Sequence, residues 1–172
     1  MTFDIQIDSS HVEAVLSAAI GRIAQPTPLM RTVATELATV TAFNFMAQGR
    51  PAWLGLQRPS PNRANGMILQ SSGRLRDSIV ESVTDTSAGI GTNVVYAAIH
   101  QFGGQTRPHV ILPKNKKALA FNGRVVKKVN HPGSKIPARP FLPIDKNGNL
   151  QPEAVSGIES AVQEYLQSVF DR

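Results

Sequence analysis

Proline and glycine interrupt the middle of this chain and leave long helical patterns only at its two ends. The 172 residues include 13 glycines and 12 prolines, and nine of the prolines lie within residues 51–143. Proline lacks a backbone N–H donor, and glycine is costly inside a helix or strand. The length of 172 residues allows a single domain over residues 1–172. Helical patterns at both ends and short interrupted segments between them predict an α+β fold. Two N-terminal helices and a C-terminal helix would pack on a small mixed or antiparallel sheet.

The terminal helices are predicted from apolar residues at helical spacing. The first helix follows Ser10 and ends near Pro26, the second runs from Pro28 to Gly49, and the third follows Pro152. Residues 3–7 alternate apolar and polar side chains, which is typical of a half-buried strand. We interpret the apolar stripe of the N-terminal helices as core-facing; its members in the first helix are Val12, Leu16, Ala19, Ile20 and Ile23.

The middle of the chain is predicted to consist of short elements and loops. Residues 50–66 hold three prolines and three arginines, so we expect a mobile loop. A helical turn at residues 72–79 should lead into a strand, and a short helix should end at Gly103. Asn122-Gly123 predicts a two-residue turn in a projecting β-hairpin, and the prolines of residues 130–143 predict an extended arm or edge.

Composition excludes several classes of function. The chain has no cysteine, which excludes disulfides and thiolate zinc sites. No stretch approaches the roughly 20 apolar residues of a membrane span, so no membrane partner is expected. The histidines lack metal-ligand spacing, and neither a phosphate-binding glycine motif nor a nucleophile elbow is present. We therefore expect no enzyme activity, no catalytic residues, no metal and no cofactor.

The charge is strongly uneven along the chain. Residues 50–146 contain fifteen basic and four acidic residues, whereas both ends carry a small negative charge. A basic middle can meet nucleic acid or an acidic protein surface. Charge alone does not decide between them, and transient contact with DNA stays open.

Six residues are expected at an oligomer or partner interface. Four belong to the hairpin: Phe121 and Arg124 at the turn, and Lys127 and Lys128 after it. A two-residue turn would set Phe121 opposite Arg124, Leu119 opposite Val126 and Lys117 opposite Lys128, all six on one face. The other two interface candidates are Arg139 and Phe141, because arginine and aromatic residues are frequent interface anchors. The alternative for Phe141 is a place in the core of its own subunit.

Three segments in one order resemble a known family. They are Leu69-x-x-Ser72-Gly73-x-Leu75-Arg76-x-Ser78-Ile79, then Gly91-Thr92-Asn93-x-x-Tyr96-Ala97-x-Ile99-His100-Gln101-Phe102-Gly103-Gly104, and finally Ile136-Pro137-Ala138-Arg139-Pro140-Phe141-Leu142. Together they resemble the phage virion-morphogenesis family, the tail-completion proteins of Mu-like tailed phages. Ser72 stands where that family more often has threonine. Within these motifs we expect Gly73 to relax a turn, Leu75 to anchor it, and Tyr96, Ile99 and Phe102 to form one apolar face.

The resemblance implies a non-enzymatic virion protein that is assembled in the host cytoplasm. Such a protein would act at the neck or tail end, completing the tail or joining it to the head. Similar small neck proteins form rings, commonly hexameric, so the implied partners are further copies of the chain and other phage neck, head or tail proteins. The alternative that the residues themselves leave open is a basic nucleic-acid-binding protein.

Overall fold

A computed structural model describes residues 10–56, 66–121 and 123–170, without the side chains of His11, Phe121 and Phe170. These residues contain thirteen elements: three helices, two strands, a short helix, six short strands and a C-terminal helix, in that order. The helices are α1 (Ser10–Ile23), α2 (Thr27–Met46), α3 (Arg74–Asp77), α4 (Ala97–Phe102) and α5 (Pro152–Phe170). The strands are β1 (Val80–Val83), β2 (Ala88–Gly91), β3 (Gly104–Gln105), β4 (His109–Ile111), β5 (Leu119–Phe121), β6 (Arg124–Val126), β7 (Val129–His131) and β8 (Lys135–Ile136).

Helix α2 is the centre of the helical body. It packs against α5 and against the antiparallel pair β1–β2. Leu37 and Val40 of α2 are buried against Ala154 of α5, with Ile90 of β2 and Ile158 of α5 beside them. The predicted second and C-terminal helices, and the turn leading into a strand, are therefore confirmed, as is the α+β class.

A second apolar cluster lies at the C-terminal end of α2. Phe45 contacts the ring of Trp53 edge-on at 5.9 Å between centroids and the ring of Phe141 at 5.4 Å. Leu75 of α3, Ala97 of α4 and Val94 just before α4 complete the buried cluster. This cluster brings together segments that are up to 96 residues apart in the chain.

The last six strands form one interrupted antiparallel ribbon. Strand β3 pairs with β8, β4 with β7, and β5 with β6, so the pairs are nested, and the innermost pair, β5–β6, flanks residues 122–123. Pro108 and Pro132 stand opposite each other in the register between the first two pairs, and neither can donate a ladder hydrogen bond. Between the second and third pairs, the seven residues 112–118 face only two residues, 127–128.

The predicted hairpin is confirmed in its register near the turn. Phe121 pairs with Arg124 and Leu119 with Val126. The predicted third pair, Lys117 with Lys128, does not form, because the ladder ends at Leu119 and Val126. The strands of the hairpin are shorter than predicted, because the unpaired residues 112–118, here called the seven-residue excursion, lie directly before β5.

The first helix is confirmed, but the interpretation of its apolar stripe is wrong. Ala19 is buried, whereas Val12, Leu16 and Ile20 are 57%, 51% and 68% exposed. Helical periodicity identifies which face is apolar but not whether another element covers it. Among the described elements α1 packs mainly on α5, and a narrow contact at Ala19 leaves the flanking side chains exposed.

Two predicted segments are only partly described. The strand predicted at residues 3–7 lies outside the described residues, as do residues 57–65 of the predicted mobile loop. The start of that loop packs on the body: Trp53 is buried and Arg50 donates to Asn44 Oδ1 at 3.0 Å. The predicted mobility therefore has to be restricted to later residues, where it stays a prediction.

Gly103 provides the first test of this fold. Its φ is +73°, and a Cβ placed there would lie 2.9 Å from the backbone nitrogen of Ala138. We expect Gly103→Ala to lower the free energy of unfolding by about 1–3 kcal/mol, measured by urea denaturation. Gly21→Ala is the matched control, since a Cβ there meets nothing within 4 Å and alanine favours helix by about 1 kcal/mol. Equal stability of Gly103→Ala and the wild type would contradict the close approach.

Candidate functional site

The three family-like segments meet around α4. Phe141 of the third segment is fully buried against Leu75 of the first and Ala97 of the second. The backbone N–H of Arg139 donates to the carbonyl of His100 at 2.7 Å. Residues that are separate in sequence thus form one contiguous site in the fold.

Gln101 joins the second and third segments through its side-chain amide. Its Oε1 accepts hydrogen bonds from the backbone N–H groups of Phe141 and Leu142, both at 2.9 Å. Its Nε2 donates to the carbonyls of Leu142 and Ile144 at 3.3 and 2.8 Å. The residue is 3% exposed, so it satisfies buried backbone groups that have no strand partner.

Two side chains from the end of α2 and the following turn hold the same extended segment from the other side. Asn44 Nδ2 donates to the carbonyl of Phe141 at 3.1 Å, and Trp53 Nε1 donates to that of Pro140 at 2.9 Å. Gln151 continues the network, since Asn44 Nδ2 also donates to its Oε1 at 2.9 Å. Residues 139–144 are therefore held by side-chain amide and indole groups rather than by a ladder.

Phe141 and Arg139, the other two residues predicted at an interface, are both buried within the subunit. Phe141 is 0% exposed and Arg139 7% exposed, so the second possibility considered for Phe141, a place in its own core, is the correct one. Arg139 donates from Nε to the carbonyl of Leu54 at 3.0 Å and from Nη2 to that of Gly55 at 3.3 Å. The prolines prevent regular pairing of this segment, and its polar groups turn inward instead.

The first motif behaves as predicted. Gly73 has a φ of +73° at the start of α3, and Leu75 is 2% exposed. Arg76 pairs with Asp77 at 2.7 Å on the surface, where such pairs contribute little to stability.

The expected apolar face of α4 is present but exposed. Tyr96 is 41% and Phe102 53% exposed and Ile99 is half-buried, whereas Ala97 and Gln101 form the buried face. The pattern of large apolar residues therefore identified the outer face of this helix. Of the remaining motif positions, Gly103 lies in the close contact between the end of α4 and the third segment, and the carbonyl of Pro140 accepts from Trp53 Nε1.

The basic residues predicted for the hairpin are on the surface. Arg124, Lys127 and Lys128 are all exposed, and Leu119 and Val126 on the predicted apolar face are half-buried. Phe121 is in β5, and its side chain lies outside the described part of the structure. The interface role of these four residues stays a prediction.

A cavity of about 210 Å³ opens beside the meeting point of the three segments. His100 lines this cavity, and its Nδ1 is buried without a hydrogen-bond partner among the described residues. Burial, and secondarily the charge of Arg139, lower the pKa of His100 below its usual value. The cavity is lined by Leu56, Ile68, Leu69, Ser71, Ser72, Leu75, Tyr96, His100 and Arg139.

The residues that hold this site were not all found from the sequence. Asn44, Trp53 and Gln101 carry the hydrogen bonds described above, and none was selected as a site residue. A signal was available for Asn44, because it follows Leu37 and Thr41 at helical spacing on an apolar face. A polar residue at such a position needs a buried partner.

The described residues lack two further kinds of site. They hold no group of three or more histidine or carboxylate side chains that could bind a metal ion. None of the described helices has the length and hydropathy needed to cross a membrane.

Gln101 is the first residue to test. Methionine is close in size but leaves the backbone groups of residues 141–144 without partners, and each costs about 1–3 kcal/mol when buried. We expect Gln101→Met to reduce the free energy of unfolding by about 3 kcal/mol or more in urea denaturation. Gln163→Met on the exposed face of α5 is the control and should be near neutral. A loss below 1 kcal/mol at position 101 would be inconsistent with this role.

His100 gives a pH-dependent prediction. Because its pKa is lowered in the folded protein, the unfolded chain binds more protons as the pH falls below the ordinary histidine value of about 6.5. Stability should therefore decrease between pH 7.5 and 5, and His100→Gln should flatten part of that decrease. Urea denaturation at several pH values measures the free energy of unfolding as a function of pH. The control is His109→Gln, at an exposed position of the ribbon. An unchanged slope in His100→Gln would contradict the assignment.

Comparison with known proteins agrees with the three motifs. The family model described as "Phage virion morphogenesis family" matches residues 7–167. The chain is 34% identical over 167 residues to "Mu-like prophage FluMu G protein 2" of Haemophilus influenzae, a match that covers 95% of this chain and 96% of that protein. No solved structure matches the chain. The family match spans most of the chain and includes all three motif segments, and the chain therefore belongs to the phage virion morphogenesis family.

Proposed function

We propose that this protein is a structural component of the phage neck or tail end, where it completes the tail or joins it to the head as a homo-oligomeric ring. Family membership supports a role in building the virion. The observation that carries the finer proposal is the interrupted β-ribbon of residues 104–136. Its strands pack chiefly on one another, which leaves much of its surface available to a neighbouring subunit.

The ribbon has a uniform positive charge. No aspartate or glutamate occurs between Asp85 and Asp145, and the eight lysine and arginine residues of the ribbon are all exposed. Like charges close together in one ribbon repel each other, and an acidic partner surface relieves that repulsion. The eight residues are Arg107, Lys114, Lys116, Lys117, Arg124, Lys127, Lys128 and Lys135.

Helix α5 offers an acidic surface on the same chain. Its described residues include Glu153, Glu159 and Glu164 and no lysine or arginine. A ribbon that meets α5 of the next subunit would use two different patches, and such heterologous contacts close into rings when the rotation permits. Exposed apolar side chains on α1 and α4, among them Ile20 and Phe102, add surface typical of protein contacts.

Nucleic-acid binding is the second candidate, and the same basic ribbon favours it. Lysine and arginine contacts to phosphates give an affinity that falls steeply with salt. Single-strand binding generally adds aromatic stacking platforms, and Phe121 is the one aromatic residue between His109 and His131. The sequence of the ribbon therefore favours a protein partner over base recognition.

Charge reversal on the ribbon tests the proposal. We expect the wild type to form an assembly well above 18.6 kDa, alone or when its neighbouring virion protein is supplied. Lys127→Glu with Lys128→Glu should shift the assembly toward monomer in light scattering coupled to sizing. The circular dichroism spectrum and melting temperature should stay unchanged, because both side chains are exposed.

The matched control carries two charge reversals outside the ribbon, Arg31→Glu with Lys146→Glu, and should assemble normally. Assembly of the ribbon variant at wild-type levels would reject the ring contact. A wild type that stays monomeric with its neighbour present, yet shifts duplex DNA with a strong salt dependence, would favour the second candidate.

A further inference from the structure

We propose that the cavity between α3, α4 and residue 139 binds a single carboxylate group, presented by an aspartate or glutamate side chain of another protein. The cavity lies within the region where the three motif segments meet. The inference does not depend on a ring, since any partner with an exposed acidic residue could supply the carboxylate.

The polar lining of the cavity suits an anion. Arg139 lines the cavity and is 7% exposed as a whole residue, and none of the described lining residues is acidic. His100 Nδ1 is buried and has no hydrogen-bond partner in the described structure, although buried polar atoms normally find one. Ser71, Ser72 and Tyr96 contribute hydroxyl groups to the same wall.

The apolar lining distinguishes an acidic side chain from an inorganic anion. Leu56, Ile68, Leu69 and Leu75 form the rest of the wall. The methylene groups of aspartate or glutamate can contact these residues while the carboxylate reaches the polar end. The volume of about 210 Å³ is below the range usual for drug-sized ligands, about 300–1,000 Å³, and is suited to one side chain.

Protonation of His100 provides a readout of binding. Burial and the charge of Arg139 lower the pKa of His100 in the free protein. A carboxylate beside the imidazole favours its charged form and raises that pKa. The other ionisable groups among the described lining residues are Arg139 and Tyr96.

The experiment uses histidine Cε1–H signals in NMR spectra of the full chain. The probe is N-acetyl-glutamate N-methylamide, which carries a free side-chain carboxylate, and its neutral analogue N-acetyl-glutamine N-methylamide is the control. We expect the glutamate probe to shift the His100 signal saturably, with half-saturation on the order of millimolar, and to raise its titration midpoint. The His100→Gln variant identifies the signal, and His109 and His131 on the ribbon are internal controls.

Variants and competing anions determine how each result is interpreted. The double variant Ser71→Ala with Ser72→Ala should bind the glutamate probe with an affinity about fivefold lower or more. The variant Ser156→Ala, at an exposed position of α5, should bind the probe as the wild type does. No selective shift of His100, equal shifts with the glutamine probe, or shifts of all histidines together would overturn the proposal. Saturation by inorganic phosphate at the same concentration would also overturn it, since the site would then accept any small anion.

Discussion

The side-chain amide of Gln101 is the interaction on which the site depends. Residues 139–144 contain two prolines and form no regular ladder, so their backbone groups need partners from elsewhere. Gln101 supplies four hydrogen bonds to residues 141–144. This attachment seats the ring of Phe141 beside Phe45 and brings Arg139 to the edge of the cavity.

The same attachment fixes the base of the ribbon. Strand β8 ends at Ile136, three residues before Arg139, and β3 begins directly after α4. Both ends of the ribbon therefore leave the body beside α4. The basic surface is carried on an element that is attached to the body at both ends and whose strands pack mainly on each other.

Local patterns in the sequence predicted more than long-range ones. The prediction of a hairpin at Asn122-Gly123 requires only two residues, and the register of the strands β5 and β6 follows from the geometry of a two-residue turn. The strand pairs β3–β8 and β4–β7 could not be predicted, because strands of two or three residues separated by prolines carry no periodic signal. Exposure of α1 and burial of Phe141 depend on which segments meet in space, and periodicity holds no information on that.

The two chain segments that connect the pair β4–β7 to the pair β5–β6 differ in length. This difference has a consequence for sequence divergence. Residues 112–118 face only residues 127–128, so this excursion belongs to neither ladder. A deletion or insertion there changes the length of the excursion while the pairs on both sides keep their partners. Related chains can therefore differ in length at this position, and the number of lysines carried there can vary, without moving the tip out of alignment with the base.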